Sequence, residues 1–267
     1  MKNFYAKLNM KFNSRFLLLP LLLLIVVFAA CRKDDPPVVS KDTGTLLMHL
    51  HAYVGNNEVE EYNTVYTTPT GRKVSLDMAQ MYLSDFQLIR PDGSRYSIPD
   101  KKVLQDLKTE AYSLGEVPVG DYKALIFRLG FDAATNRALP STDPALLDRP
   151  EMWFGSAPQP DGYVFLHARG MVDPSPNASG TVEQMQPFEY KVGTSANNLL
   201  INLPDKDFTV VKDQAAYVHL LADYSQLFDG IDISQPGNLL VLTPADNAIM
   251  PGTWITQNIS LLFRYEE

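Results

Sequence analysis

The feature that most constrains this chain is an alternation of period two that recurs along its body and is cut at short intervals by Pro, Gly and Asn. A strand places residues i and i+2 on one face, so a chain written this way builds sheets. "GTLLMHLHAYV", from residue 44, reads as a strand closed by Gly55, Asn56 and Asn57. "EYNTVYTTPTGRKVSL" gives two short strands around Pro69 to Gly71. "QMYLSDFQLIRPDG" gives a long strand ending in Pro91-Asp92-Gly93, where proline presets φ for a tight turn. After a turn at Val119-Gly120-Asp121 a strand is expected from Tyr122 to Phe131, and "DGYVFLHARGMV" is another, followed by the loop "DPSPNASGTVE". "QPFEYKVG" and "NNLLINLP" are expected to pair with each other across residues 193–197. "DFTVVKDQAAYVHLLADYSQLF" reads as strand, turn and strand, and "GTWITQNISLLFRYEE" is expected to close the chain as a terminal strand.

Helix is scarce: "DPALLDRPEMW", "SQLFDG" and "TPADNAIMPG" have room for a turn or two each. The expected fold class is all-β, an antiparallel two-sheet sandwich with a few short helical turns. The βαβ alternation of a parallel α/β protein is absent.

The first thirty residues follow another logic. Lys2, Lys7, Lys11 and Arg15 precede the apolar run "FLLLPLLLLIVVFAA", with no acid among them. A basic start, an apolar core of about 15 residues and small residues before a cut describe an export signal, since about 20 are needed to span a bilayer. "FAAC" then sets the chain's only cysteine, Cys31, where a lipobox cysteine stands. Residues 1–30 are therefore expected to be a lipoprotein signal peptide and Cys31 the lipidated (palmitate-bearing) first residue. Residues 31–43 form a polar, Pro-containing tether, and 44–267 a single domain. The expected place is the cell envelope, with the lipid in the outer membrane and the domain outside the bilayer.

Removing residues 1–30 leaves 19 basic side chains against 31 acids, a net charge of −12. That disfavours a nucleic-acid groove, which needs a basic patch. With no second cysteine there is no disulfide and no thiolate metal site.

No G-x-S-x-G elbow, P-loop or dinucleotide fingerprint occurs. "DPSPNASG" spaces oxygen side chains like a calcium loop, but its Gly falls two places late and Gln184 stands at position twelve, so it reads as a loop. Carboxylates are many, yet nothing selects two of them as an acid/base pair. The four histidines, His49, His51, His167 and His219, all fall in expected strands. Imidazole suits copper or zinc, and Met48 or Met152 offers a soft thioether for Cu(I). His49 and His51 share a face about 7 Å apart, which suits two converging ligands and equally an ordinary solvated strand.

Several stretches taken in order resemble the methanobactin-associated copper-binding family, the MbnP-like domain, which includes many lipoproteins of Bacteroidota. "LLMHLHAYVGNNEV" is similar to its first strand with a histidine. "YNTVYTTPTGRKVSLDMAQMYLSDFQLIRPDG" resembles its tyrosine, glycine turn and tyrosine-leucine-serine strand, and "VPVGDYKALIFRLGFDAATN" its Gly-x-Tyr strand. "EMWFGSAPQPDGYVFLHARG" resembles its Met-Trp segment; "PFEYKVG" and "VHLLADYSQLFDG" match later blocks. The resemblance covers roughly residues 44 to 230. It implies an exported β-sandwich that is no enzyme, with copper bound by histidines and a tryptophan oxidised to kynurenine by a di-haem peroxidase-like partner. Here the Met-Trp pair is Met152-Trp153, which makes Trp153 the candidate oxidised aromatic, and the opening histidine is His49 or His51.

One position departs. Where F-x-Y-H-x-G is usual, this chain has Phe188-Glu189-Tyr190-Lys191-Val192-Gly193, and a charged lysine repels a copper ion. Two expectations therefore stand side by side: copper held by the strand histidines, or a structural or interaction lipoprotein whose metal site has decayed and which binds no metal.

Overall fold

The computed structural model describes residues 42–156 and 162–266. The expected signal segment, Cys31 and nearly all of the tether lie outside the described residues. Among the described residues the alternation becomes sixteen strands. The first six are β1 (Thr43–Val54), β2 (Asn57–Glu58), β3 (Tyr66–Thr67), β4 (Lys73–Ile89), β5 (Arg95–Ser97) and β6 (Lys102–Gln105). The next five are β7 (Ala111–Pro118), β8 (Gly120–Tyr122), β9 (Ala124–Leu129), β10 (Val164–Val172) and β11 (Gln186–Gly193). The last five are β12 (Leu199–Asn202), β13 (Phe208–Val210), β14 (Ala215–Asp223), β15 (Leu240–Val241) and β16 (Phe263–Tyr265). Among the described residues, helix is confined to α1 (Pro144–Leu147), α2 (Gly252–Leu262) and short 3-10 turns. None of the described helices is long and apolar enough to cross a membrane.

The all-β expectation holds. Five strands form one sheet in the order β16-β14-β1-β2, with β7 also on β1. Nine form a second, β12-β9-β4-β10-β11-β15, with β3, β5 and β6 also on β4, and β13 pairs with β8 alone. Most pairs are antiparallel, but β14 runs parallel to β1, and β15 to β11.

Edge-on contact of Phe127 (β9) with Phe263 (β16), ring centroids 5.1 Å apart, marks the face of the nine-stranded sheet that meets the five-stranded one. Leu129 shares that face, and the register Leu83↔Leu129, Met81↔Leu166 and Leu166↔Val192 carries it across the sheet. Leu46, Met48, Leu50, Ala52 and Val54 of β1 meet it from the other side, all buried. Each of these side chains except the small Ala52 contributes about 1.5–3 kcal/mol by leaving water.

The two outward faces differ. On β1, Thr45, Leu47, His49, His51 and Tyr53 stay half-exposed. The outward face of the nine-stranded sheet is covered by the chain that follows β9. Phe131, Leu146, Leu147 and Met152 are buried there, and the Tyr82 hydroxyl donates to the Leu146 carbonyl at 2.8 Å. Gly130 begins this cover at φ +94°, where a Cβ would run into the Phe165 ring.

Three expectations are corrected. β11 and β12 do not pair with each other: β11 lies between β10 and β15, while β12 sits on β9. Their five-residue link carries a 3-10 turn at Ser195–Asn197 and crosses the sheet instead of reversing as a hairpin. The closing stretch is helix before it is strand, because Ile255, Ile259 and Leu262 recur at helical spacing and are buried. Asn258 ties that helix down by donating to the carbonyls of Leu227 and Asp229. Packing thus overrides the strand preference of Thr, Trp and Ile. The strand expected from Tyr122 to Phe131 is interrupted at Lys123, with β8 pairing to β13 and β9 to β4.

Candidate metal centre

β1 and β14 lie parallel in the register His49↔His219, so the two imidazoles project from one rung on the same outward face. Their ring centroids are 4.7 Å apart. Tyr217 meets His49 edge-on at 5.1 Å, and Nδ1 of His219 lies 3.7 Å from a carboxylate oxygen of Glu266. Burial, followed by the fields of His219 and His51, lowers the pKa of His49 below the ordinary histidine value. The neutral ring this favours is the form that ligates metals. Beside the pair opens a recess of about 400 Å³ walled by Phe208, Tyr217 and Tyr265.

His51 shares the face, 6.1 Å from His49 by centroid, but its partner on β14 is Leu221. Its Nδ1 lies 2.6 Å from Glu58, brought back by the turn at Gly55 in the register Tyr53↔Glu58. Glu110, just before β7, accepts from the Leu50 amide through its backbone carbonyl. Ligand atoms of His51, Glu58 and Glu110 all lie within 4.8 Å of one another. The sequence pair His49/His51 is thus divided: one ring belongs with His219, the other with two glutamates.

His167 stands on the opposite outward face of the sandwich, 2% exposed, in register with Gln80 and Lys191. Its Nε2 is 3.0 Å from Glu189, while its Nδ1 and the Oε1 of Gln80 are buried without a partner. Burial, then the Lys191 ammonium, pushes its pKa down. Trp153 is here too: its carbonyl accepts from Lys191 Nζ at 3.5 Å and its Nε1 donates to Leu147. Neither thioether reaches the β1 histidines, since Met48 faces the core from the other side of β1 and Met152 is buried in the cover.

The two places answer a copper ion differently. At residue 191, where the resemblance expects a histidine, an ammonium sits directly across from His167, so this donor set does not fit the metal. His49 and His219 do fit: two adjacent imidazoles, both reachable from solvent, with the Glu266 carboxylate beside His219.

Sequence reasoning missed Tyr217, Glu266, Glu58 and Glu110. Only Glu58 had a local signal, a residue placed across a Gly-Asn turn from the end of β1; the others arrive by long-range pairing. "DPSPNASG" is a loop, as read. The Asp173 carboxylate within it accepts from the amides of Ser175 and Gly180.

A family model described as MbnP matches residues 43–244 of this chain. Among solved structures, MbnP from Methylosinus trichosporium is similar at a TM-score of 0.48 and 16% identity, over 72% of this chain and 80% of that one. Among curated proteins none matches.

Proposed function

Because this chain belongs to the MbnP family, we propose that it is a lipid-anchored, non-enzymatic protein of the cell envelope that holds copper between His49 and His219. The observation that carries the reading is that imidazole pair at one rung of parallel strands, 4.7 Å apart on an uncovered face. Two nitrogen donors suit Cu(I), and strands on both sides fix their spacing. Cys31 supplies the anchor, most securely with more than one acyl chain. A di-haem peroxidase-like partner belongs to the same reading, with Trp153 as the side chain it oxidises. An unmodified Trp153 peptide from native protein, read by mass spectrometry, removes that partner.

The test is titration of residues 32–267 with Cu(I) under reducing conditions against a competing chelator. Stoichiometric binding is expected, weakened about 100-fold or more in His49→Ala/His219→Ala. The titration is repeated on native material if protein made without the partner binds nothing. The same weak binding in native wild type and variant overturns the reading. It then favours the alternative, an interaction module with a degenerate site, for which Lys191 facing His167 already speaks.

A further inference from the structure

We propose that His51, Glu58 and Glu110 form a second metal site, separate from the His49–His219 pair, for a divalent cation of the zinc class. The proposal stands without the copper reading. Three adjacent backbones deliver the ligands: β1 carries His51, β2 carries Glu58, and Glu110 enters β7 while its carbonyl holds the Leu50 amide. The donor atoms already fall within 4.8 Å of one another. Tetrahedral zinc, with bonds of about 2.0–2.2 Å, sets neighbouring donors roughly 3.4 Å apart. The ligands close in slightly, and the 2.6 Å contact of His51 with Glu58 opens to admit the ion.

The surroundings make a second, independent observation. These three side chains line a recess of about 310 Å³ whose wall also carries Glu60 and Asp106 and includes no lysine or arginine. Glu60 and Asp106 add formal negative charge around the recess, which a dication would offset. One nitrogen with hard oxygens selects zinc or a similar divalent ion over Cu(I), which prefers softer donors. Three protein ligands leave a coordination position open toward the recess.

The experiment titrates the metal-free protein with Zn²⁺ against a chromophoric chelator, in wild type, Glu58→Gln/Glu110→Gln, His51→Gln and His49→Ala/His219→Ala, with thermal melting to confirm folding. One equivalent is expected in wild type, weakened about 100-fold or more in the first two variants and retained in the third. Cu(I) titration of the same proteins separates the two readings: copper lost with zinc kept, in the third variant, leaves this proposal standing. Absence of stoichiometric zinc binding in wild type overturns it and leaves His51–Glu58 as an ion pair. Zinc binding unchanged in both the Glu58→Gln/Glu110→Gln and His51→Gln proteins overturns it equally. If the double variant does not fold, His51→Gln decides alone.

Discussion

His49 and His167 each sit mid-strand in one of the two sheets and point away from the shared core, yet they meet opposite surroundings. His49 lies on a bare face with a second imidazole beside it and carboxylates at the margin. His167 lies beneath the chain that follows β9, facing a lysine, with one ring nitrogen unpartnered. The difference teaches that a histidine's strand position says little until its cross-strand neighbour and its cover are known. A neighbouring imidazole offers a second nitrogen donor; a neighbouring ammonium makes a pocket that repels cations.

The sharpest way to break the contrast is to remove the cover's footing. Phe165→Ala should cost about 3–5 kcal/mol in urea unfolding, because a fully buried ring leaves a cavity under the cover. A cost under 1 kcal/mol would mean that the cover is not packed as described. Lys191→His turns the covered nook into an imidazole pair. It should add a second copper equivalent that disappears when His167→Ala is combined with it, and unchanged stoichiometry would show that more than the ammonium excludes the metal there. Tyr82→Phe removes the hydroxyl that donates to Leu146, for a loss of about 1 kcal/mol.

A smaller effect is in the pH response. His167 has its pKa depressed in the fold, so the unfolded chain binds its proton more readily. The stability this contributes is complete above the ordinary value of 6.5 and declines as pH falls below it toward the depressed value. The urea midpoint of wild type should therefore drop more between about pH 7 and pH 5 than that of His167→Gln. Parallel curves would remove the ring from the account. Last, Tyr217→Ala on the bare face, half-exposed, should change stability by only about 0.5 kcal/mol.

Much of the fold was legible because period two is a local signal. The buried set Leu46 to Val54 and the turn at Pro91-Asp92-Gly93 follow from residues within one strand or turn. Pairing was not legible where it is non-local. "QPFEYKVG" and "NNLLINLP" are both strands, but nothing in either stretch names its neighbour, and they ended on different partners. The helix Gly252–Leu262 was written in the spacing of Ile255, Ile259 and Leu262, and was outweighed in the reading by β-preferring residue types. For the candidate site, the histidines stood out by residue type. Their sorting into a His49–His219 pair, a His51–Glu58–Glu110 group and an isolated His167 depended on register across strands far apart in sequence.

That same register sets a timetable. His51 and Glu58 are seven residues apart and belong to a hairpin, which closes in microseconds once its turn forms. His49 and His219 are 170 residues apart, and β1 cannot acquire its parallel neighbour until the chain has been made through β14. A chain truncated before β14 lacks His219 and never owns the imidazole pair. Occupancy of that pair would then act as a certificate of long-range pairing, issued only to molecules in which β1 and β14 have met.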